Sequence, residues 1–588
     1  MKAFDANITL SVMFLLDKNL KDIDNVSVAN NRLFGLSGIK NFFTDSDELT
    51  ELKESLTEKS FNVEEPDRTE YGDFQTNREL VKSIANLLTR KSVNPTVVVE
   101  PTFGKGSFII AALDAFSTIR YIYGIEIYKP YIWETKFSIL DYYLDHPQQH
   151  KPEIMLNHFN IYDFDFKTIA KKHSSEEFLI IGNPPWVTNA KLGSLDSENL
   201  PVKSNFKNHS GYDAITGKGN FDIGEYIAMM MFDAFQNVSG HFAFLVKNSV
   251  IKNIISGQRE RKYKISFLEK YSIDSKKEFN AAVESALFFC KLNSDPAFEC
   301  REYDFYSGAS FNSYGWVDNK FVSNSEHYAH YSLVDGVCPF EWRQGVKNDC
   351  SEVMELERKG DIFINGFNEE VFIEEDLVYG ILKSSDLKNS VTDQSRKFTI
   401  VTQQKIGQET NYIKTKYPLT YKYLFQYKEI FENRKSSIYK GKPSFSIFGI
   451  GDYSFKPYKV AISGLYKKYS FNLVLPNAGK PLMLDDTCYF IGFNNIEYAV
   501  YTHILLNSEI AIEFLKSVTF LDAKRTFTKD VLMRIDLLKI AQEYDENKIS
   551  ALLDEMNEKF NFNVEAHGWN KYIKAMTPVN SEQLEILL

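Results

Sequence analysis

Cysteine is scarce in this chain. Five are spread over 588 residues (Cys290, Cys300, Cys338, Cys350 and Cys488), with no CxxC pair and no metal-ligand spacing. Neither a disulfide framework nor a metal site is expected, and the usage fits a reducing cytoplasm. No long hydrophobic run is present either. Residues 10–16 are apolar, but Asp17 and Lys18 follow at once. The run is too short for a bilayer, has no basic lead or cleavage site, and reads as a core helix or strand. Positive charge is in deficit, with 68 Lys and Arg against 79 Asp and Glu for a net charge of −11. That excludes a surface coated for nucleic acid, so the distribution of charge becomes the informative quantity. Internal repeats and low-complexity tracts are missing as well. What is present, 44% hydrophobic residues over 588 positions, supplies the cores of more than one domain.

The most informative stretch is Asn183-Pro184-Pro185-Trp186, directly after the apolar run Phe178-Leu179-Ile180-Ile181-Gly182. The run reads as a buried parallel strand. Its carboxyl end is where open α/β sheets bind ligands, and there it carries an amide, a donor-free turn and a flat ring. This set suits methylation of a planar exocyclic amine. The Asn183 oxygen and the Pro184 carbonyl accept from the amine and free its lone pair, while Trp186 stacks on the ring that bears it.

Upstream, Val97-Val98-Val99-Glu100-Pro101-Thr102-Phe103-Gly104-Lys105-Gly106-Ser107-Phe108 reads as strand, glycine loop, helix. Gly104 and Gly106 let backbone approach a ligand, and the helix amino end favours a negative group. A dinucleotide fold gives the same outline, though the third glycine of that fingerprint is missing. The next strand ends at Glu126, about twenty residues after the glycines, where an acid typically binds ribose hydroxyls. A third strand ends near Asn160, a polar group placed to meet an adenine amino group.

Together these residues resemble the gamma class of S-adenosylmethionine-dependent DNA adenine-N6 methyltransferases of restriction–modification systems. Tyr71-Gly72-Asp73-Phe74-Gln75-Thr76-Asn77 looks like the family's Gly-x-Phe-x-Thr-Pro segment, with Asn77 in place of Pro. Phe279-Asn280-Ala281-Ala282-Val283-Glu284-Ser285-Ala286 is similar to its later motif, whose aromatic touches the flipped base opposite the Asn-Pro-Pro-Trp ring. The order of cofactor segment, glycine loop, catalytic motif and long carboxyl-terminal remainder is that of the gamma class. The resemblance implies S-adenosylmethionine as cofactor, held by Thr76, Glu100, Pro101, Gly104, Gly106, Glu126 and Asn160. It implies Asn183, Pro184, Pro185 and Trp186 as catalytic residues, with Trp186 and Phe279 stacking on the base. Asn160 stands where the family usually has Asp, so its oxygen lacks a charge. No metal and no covalent intermediate are required, and the missing cysteine beside the Pro-Pro turn disfavours cytosine-C5 chemistry.

The expected fold is α/β, a doubly wound Rossmann-like methyltransferase sheet followed by a mixed α/β DNA-recognition domain. Residues 1–65 read as a helical extension, 66–300 as the catalytic domain, 301–345 as an irregular connection and 346–588 as the recognition domain, helical from about residue 507. Residues 187–220 read as a mobile loop beside the active site. Between residues 420 and 475 ten Lys or Arg face three Asp or Glu, interleaved with Tyr and Phe. There Arg434, Lys435, Lys440 and Lys442 suit phosphate contacts. Earlier in the chain, 342–347 and 382–386 look like stretches of the family's recognition regions.

The partner implied is double-stranded DNA. The chain reads as a cytoplasmic monomer off the membrane, compatible with a separate nuclease or defence partner. RNA adenine or cytosine-N4 methylation shares the geometry. Glutamine methylation usually belongs to much shorter chains, and a fused nuclease would need more residues than the 65 before the motifs.

Overall fold

The computed structural model describes residues 8–58, 76–188, 221–280, 283–521 and 525–577. Residues 71–75 of the cofactor segment, 281–282 of the later motif and nearly all of the loop 187–220 lie outside the described residues. The chain divides into two compact units, Met1–Phe321 and Val322–Leu588.

The first unit is built on a ten-stranded sheet: β1 (Val97–Glu100), β2 (Tyr121–Glu126), β3 (Glu153–His158), β4 (Phe178–Gly182), β5 (Gly240–Lys247), β6 (Ile265–Ile273), β7 (Ser285–Leu292), β8 (Glu299–Asp304), β9 (Ser310–Val317) and β10 (Lys320–Val322). Their order is β10-β9-β8-β6-β7-β5-β4-β1-β2-β3. Strands β1 to β5 run parallel, and β7 lies antiparallel between β5 and β6. The unbroken apolar runs of β1 and β4 are buried along their whole length, as helices on both faces of a parallel sheet require. From β1 the chain winds outward to β2 and β3, then returns to place β4 on the other side of β1. The strand order therefore reverses between β1 and β4, and a crevice opens at their carboxyl ends.

The amino-terminal helices Leu10–Leu20, Val26–Ser37 and Ser46–Glu58 join this core instead of standing apart. Val12, Leu16 and Leu33 are buried in one cluster with Trp133 and Phe137 of the helix Lys129–Asp145. Ile39 pairs with Ile154 at the β3 edge, and the buried Lys136 ammonium donates to the Phe42 carbonyl at 2.6 Å. Residues 301–345, expected to be an irregular connection, instead carry most of β8 with β9 and β10, which extend the sheet edge. Strand β9 mixes Ser310, Asn312 and Ser313 with Phe311, Trp316 and Val317 and lies next to the edge strand β10, so no clean apolar alternation marked it.

The second unit is mixed α/β. One five-stranded sheet pairs Tyr458–Ser463 with Cys488–Phe493 and Asn472–Val474, and a six-stranded sheet centres on Lys397–Ile400 between Glu355–Lys359 and Val378–Leu382. Its carboxyl-terminal helices begin at Ile496–Leu506, somewhat before the expected residue 507. No described helix in either unit is long and apolar enough to cross a membrane.

Candidate active site

Local chemistry fixes the turn after β1. Gly104 and Gly106 both adopt left-handed backbone, with φ of 53° and 74°. At Gly106 a Cβ would lie 2.4 Å from the Thr135 methyl carbon, so only glycine lets the helix Lys129–Asp145 pass this closely. Gly106 also starts the helix Ser107–Ala115 without a capping side chain. The Glu126 carboxylate draws the loop in from the neighbouring strand, its Oε2 accepting from Gly104 N and its Oε1 from Tyr128 N, both at 2.8 Å.

Glu100 is 2% exposed, and its Oε2 has no hydrogen-bond partner among the described residues. Burial, with the Glu126 charge nearby, pushes its carboxyl well above the ordinary carboxylate range. The folded protein therefore keeps a proton that the unfolded chain gives up near pH 4 to 5. The stability Glu100 provides is complete below that pH and is lost as pH rises toward the raised pKa. Glu100→Gln should match the wild type near pH 4 and be the more stable of the two at pH 8. Thermal melts at the two pH values check this, and equal melting temperatures at pH 8 would contradict it.

Asn183 leaves β4 beside this loop, and its Nδ2 donates to Thr76 Oγ1 at 3.1 Å, which sets the direction of the amide. Asn77, at the family's Pro position, caps the helix Arg78–Arg90 through Leu80 N. Its Nδ2 donates to Glu278 Oε2 at 2.7 Å. Two adjacent residues thus tie the Asn-Pro-Pro-Trp turn to the segment bearing Phe279. Trp186 is 6% exposed, with Nε1 directed at the Leu245 carbonyl at 3.4 Å. Its ring meets Phe279 edge to face, centroids 4.8 Å apart. A base stacked between parallel rings needs roughly 7 Å, twice the usual stacking separation, so these two must part to admit one. Pro101 is buried in the loop after β1. Asn160, after β3, accepts from Tyr162 N at 3.1 Å and caps the short 3₁₀ turn Ile161–Asp163.

An ion pair that sequence reading missed supports the exit of the turn. Asp222 caps the helix Ile223–Phe235, and its Oδ2 accepts from Lys247 Nζ at 2.6 Å, both side chains being largely buried. Burial raises the Asp222 carboxyl and the Lys247 ammonium opposes that rise. Gly224 in the first turn passes against Pro184 and Pro185, and Ile223 N donates to the Val187 carbonyl at 2.9 Å. An Asp directly before the apolar run Ile223–Phe235 was the available signal for the cap. A polar residue ending a strand gave none for Lys247. Lys247→Met should cost about 3–5 kcal/mol of stability by stranding the Asp222 carboxylate, measured by denaturant unfolding. A loss under 1 kcal/mol would show the pair to be dispensable.

The basic segment of the second unit is less uniform than its sequence. Lys435, Lys440 and Lys442 are exposed and have no carboxylate partner among the described residues. Arg434 points inward. Its Nη1 donates to the carbonyls of Ser446 at 2.6 Å and Asn348 at 3.0 Å, and its guanidinium lies 3.5 Å from the Tyr439 ring centroid. Lys459 is fully buried, its ammonium donates to the Lys456 carbonyl at 2.6 Å, and burial lowers its pKa to about 7. The four cations 434, 435, 440 and 442 therefore do not act alike, since Arg434 spends its donors on the scaffold.

No family model matches the chain. The type II methyltransferase M.NspV of Nostoc sp. (strain ATCC 29411 / PCC 7524) is 38% identical over 483 residues, spanning 82% of this chain and 99% of that relative. Among solved structures, the type IIL restriction-modification enzyme MmeI, determined in complex with DNA, aligns over 100% of this chain and 93% of its own, with a TM-score of 0.50 at 13% identity. That second likeness is one of fold. The identity to M.NspV and its coverage, over a sheet whose strand order reverses beside Asn183, establish that this chain belongs to the type II methyltransferases and takes its methyl group from S-adenosylmethionine.

Proposed function

We propose that this enzyme methylates the N6 amine of adenine in double-stranded DNA, as a gamma-class modification component of a restriction or defence system. One observation carries the reading. Asn183 of Asn-Pro-Pro-Trp stands at the carboxyl end of β4, beside the reversal of strand order, with its amide oriented by Thr76. S-adenosylmethionine supplies an electrophilic methyl group on sulfonium. The residues of the first unit fit it: two left-handed glycines, a strand-end carboxylate at Glu126, and a buried Glu100 oxygen with no hydrogen-bond partner among the described residues. In this account Glu126 holds the ribose hydroxyls and Gly104 and Gly106 admit the methionine end. Thr76, Glu100 and Pro101 line that end, and Asn160 faces the adenine.

The target base is unreachable while stacked and must leave the duplex. Asn183 Oδ1 and the Pro184 carbonyl then accept from its amine and keep the nitrogen lone pair out of conjugation. Pro185 stiffens the turn. Trp186 and Phe279, parted by the incoming base, stack on its faces, a contribution of about 1–3 kcal/mol per ring. Orientation and fixed dipoles supply the rate. In the second unit Lys435, Lys440 and Lys442 take phosphates, and Arg434 holds their platform.

Single-molecule sequencing of DNA from cells expressing the chain tests the assignment. Modified adenine at one short recurring sequence is expected. Modified cytosine, or DNA without any new mark, would overturn it.

A further inference from the structure

We propose that the loop at residues 404–408 is a base-reading finger, whose side chains contact base edges while the neighbouring lysines fix the register on the backbone. This rests on the DNA reading above. The loop follows the strand Lys397–Ile400, and the polar residues that bound it are buried and fully engaged in holding it: Thr402 at 0%, Gln403 at 0% and Thr410 at 3% exposure. Thr402 Oγ1 donates to the Phe445 carbonyl at 2.7 Å, and Thr410 Oγ1 donates to the Ser444 carbonyl. Gln403 binds in both directions, its oxygen accepting from Ile447 N at 2.9 Å and its amide donating to the Gln408 carbonyl. Across the loop, Gln404 N donates to Gln408 Oε1 at 2.7 Å, and Gln408 N donates to the Lys405 carbonyl at 3.1 Å. Gly407, at φ 78°, closes the turn.

The result is a tip with a fixed backbone and uncommitted side chains. Gln404 and Lys405 are exposed, and neither side chain has a hydrogen-bond partner among the described residues. Ile406 is 52% exposed at the end. Buried polar groups are expensive to satisfy, and using three of them to stiffen a loop of a few residues is sensible where the tip must be presented in one geometry. Its chemistry matches direct readout. Glutamine bonds adenine N6 and N7, lysine bonds guanine O6 and N7, and an aliphatic group packs on the thymine methyl. The placement agrees. Ser444 and Ile447, to which the loop is tied, follow directly on Lys440 and Lys442, and Arg434 binds Ser446 in the same segment. Phosphate contacts and base contacts thus share one platform, and a rigid tip avoids an ordering cost on binding.

The test compares three full-length proteins, the wild type, the double variant Gln404→Ala/Lys405→Ala and the triple variant Lys435→Ala/Lys440→Ala/Lys442→Ala. Each is assayed for methylation of a library of duplexes differing by single base pairs and for DNA binding across salt concentration. The double variant should lose discrimination at one or two positions by on the order of tenfold or more, with melting temperature and salt slope unchanged. The triple variant should bind every sequence more weakly, with a salt slope reduced by about one per lysine. Unchanged discrimination in the double variant, with wild-type DNA methylation intact, would defeat the finger alone. A wild-type protein that methylates no duplex in the library would defeat the DNA reading and the finger with it.

Discussion

Asn183→Ala should abolish methyl transfer, lowering kcat by about 10²–10³-fold or more while DNA and cofactor affinities stay within a few-fold of wild type. The magnitude follows from what the amide does. Its Nδ2 is committed to Thr76 Oγ1, so its oxygen is aimed, and removing one preorganised polar contact to a reacting group costs about 2.7–4 kcal/mol in the transition state. Alanine also leaves the Pro184 carbonyl as the remaining acceptor of the pair. Thr76→Val tests the positioning separately. It should lower kcat less than Asn183→Ala, and Thr76→Ser, which keeps the hydroxyl, should restore it. Single-turnover kinetics on a duplex substrate reads both. Transfer at a near-normal rate in Asn183→Ala would show the assigned geometry to be wrong.

Glu126→Ala should raise the cofactor Kd by about 10²-fold and leave DNA affinity unchanged. Two losses combine. The carboxylate accepts from Gly104 N and Tyr128 N, so the glycine turn loses the group that holds its left-handed backbone against β2. In the proposed site the ribose hydroxyls lose their acceptor as well. Hydrogen bonds to a charged group contribute about 1.5–3 kcal/mol each, and loss of the equivalent of one to two gives the stated change. Glu126→Gln keeps one acceptor oxygen and should fall between the two. Calorimetry with S-adenosylmethionine and with DNA separates the effects. An unchanged cofactor Kd would remove Glu126 from the site.

The parts of the site legible in the sequence were those whose signal is local. Residues 97–99 and 178–181 are continuous apolar runs because they are buried on both faces, and a polar residue stands at the carboxyl end of each, Glu100 as the last residue of β1 and Asn183 just after β4. What escaped depends on contacts between distant residues. Trp186 and Phe279 lie 93 positions apart, and nothing local shows that they touch. In the sequence Asn77 shows only as a replacement for Pro, and nothing local announces its bond to Glu278, 201 positions on. A count of cations between 420 and 475 treats Arg434 and Lys459 as surface charge, whereas backbone carbonyls have drawn both inward. In the first amino-terminal helix the apolar run is longer than the face it buries: Val12, Leu16 and Leu20, spaced four apart, form the stripe that joins the core, whereas Leu10 and Phe14 stay exposed, so composition alone did not show which residues pack.

The most direct measurement is transfer of labelled methyl from S-adenosylmethionine to duplex DNA by the purified protein, followed by digestion and identification of the modified nucleoside. The account predicts N6-methyladenine, lost in Asn183→Ala. Label on cytosine, or label entering RNA or protein but not the duplex, would contradict it.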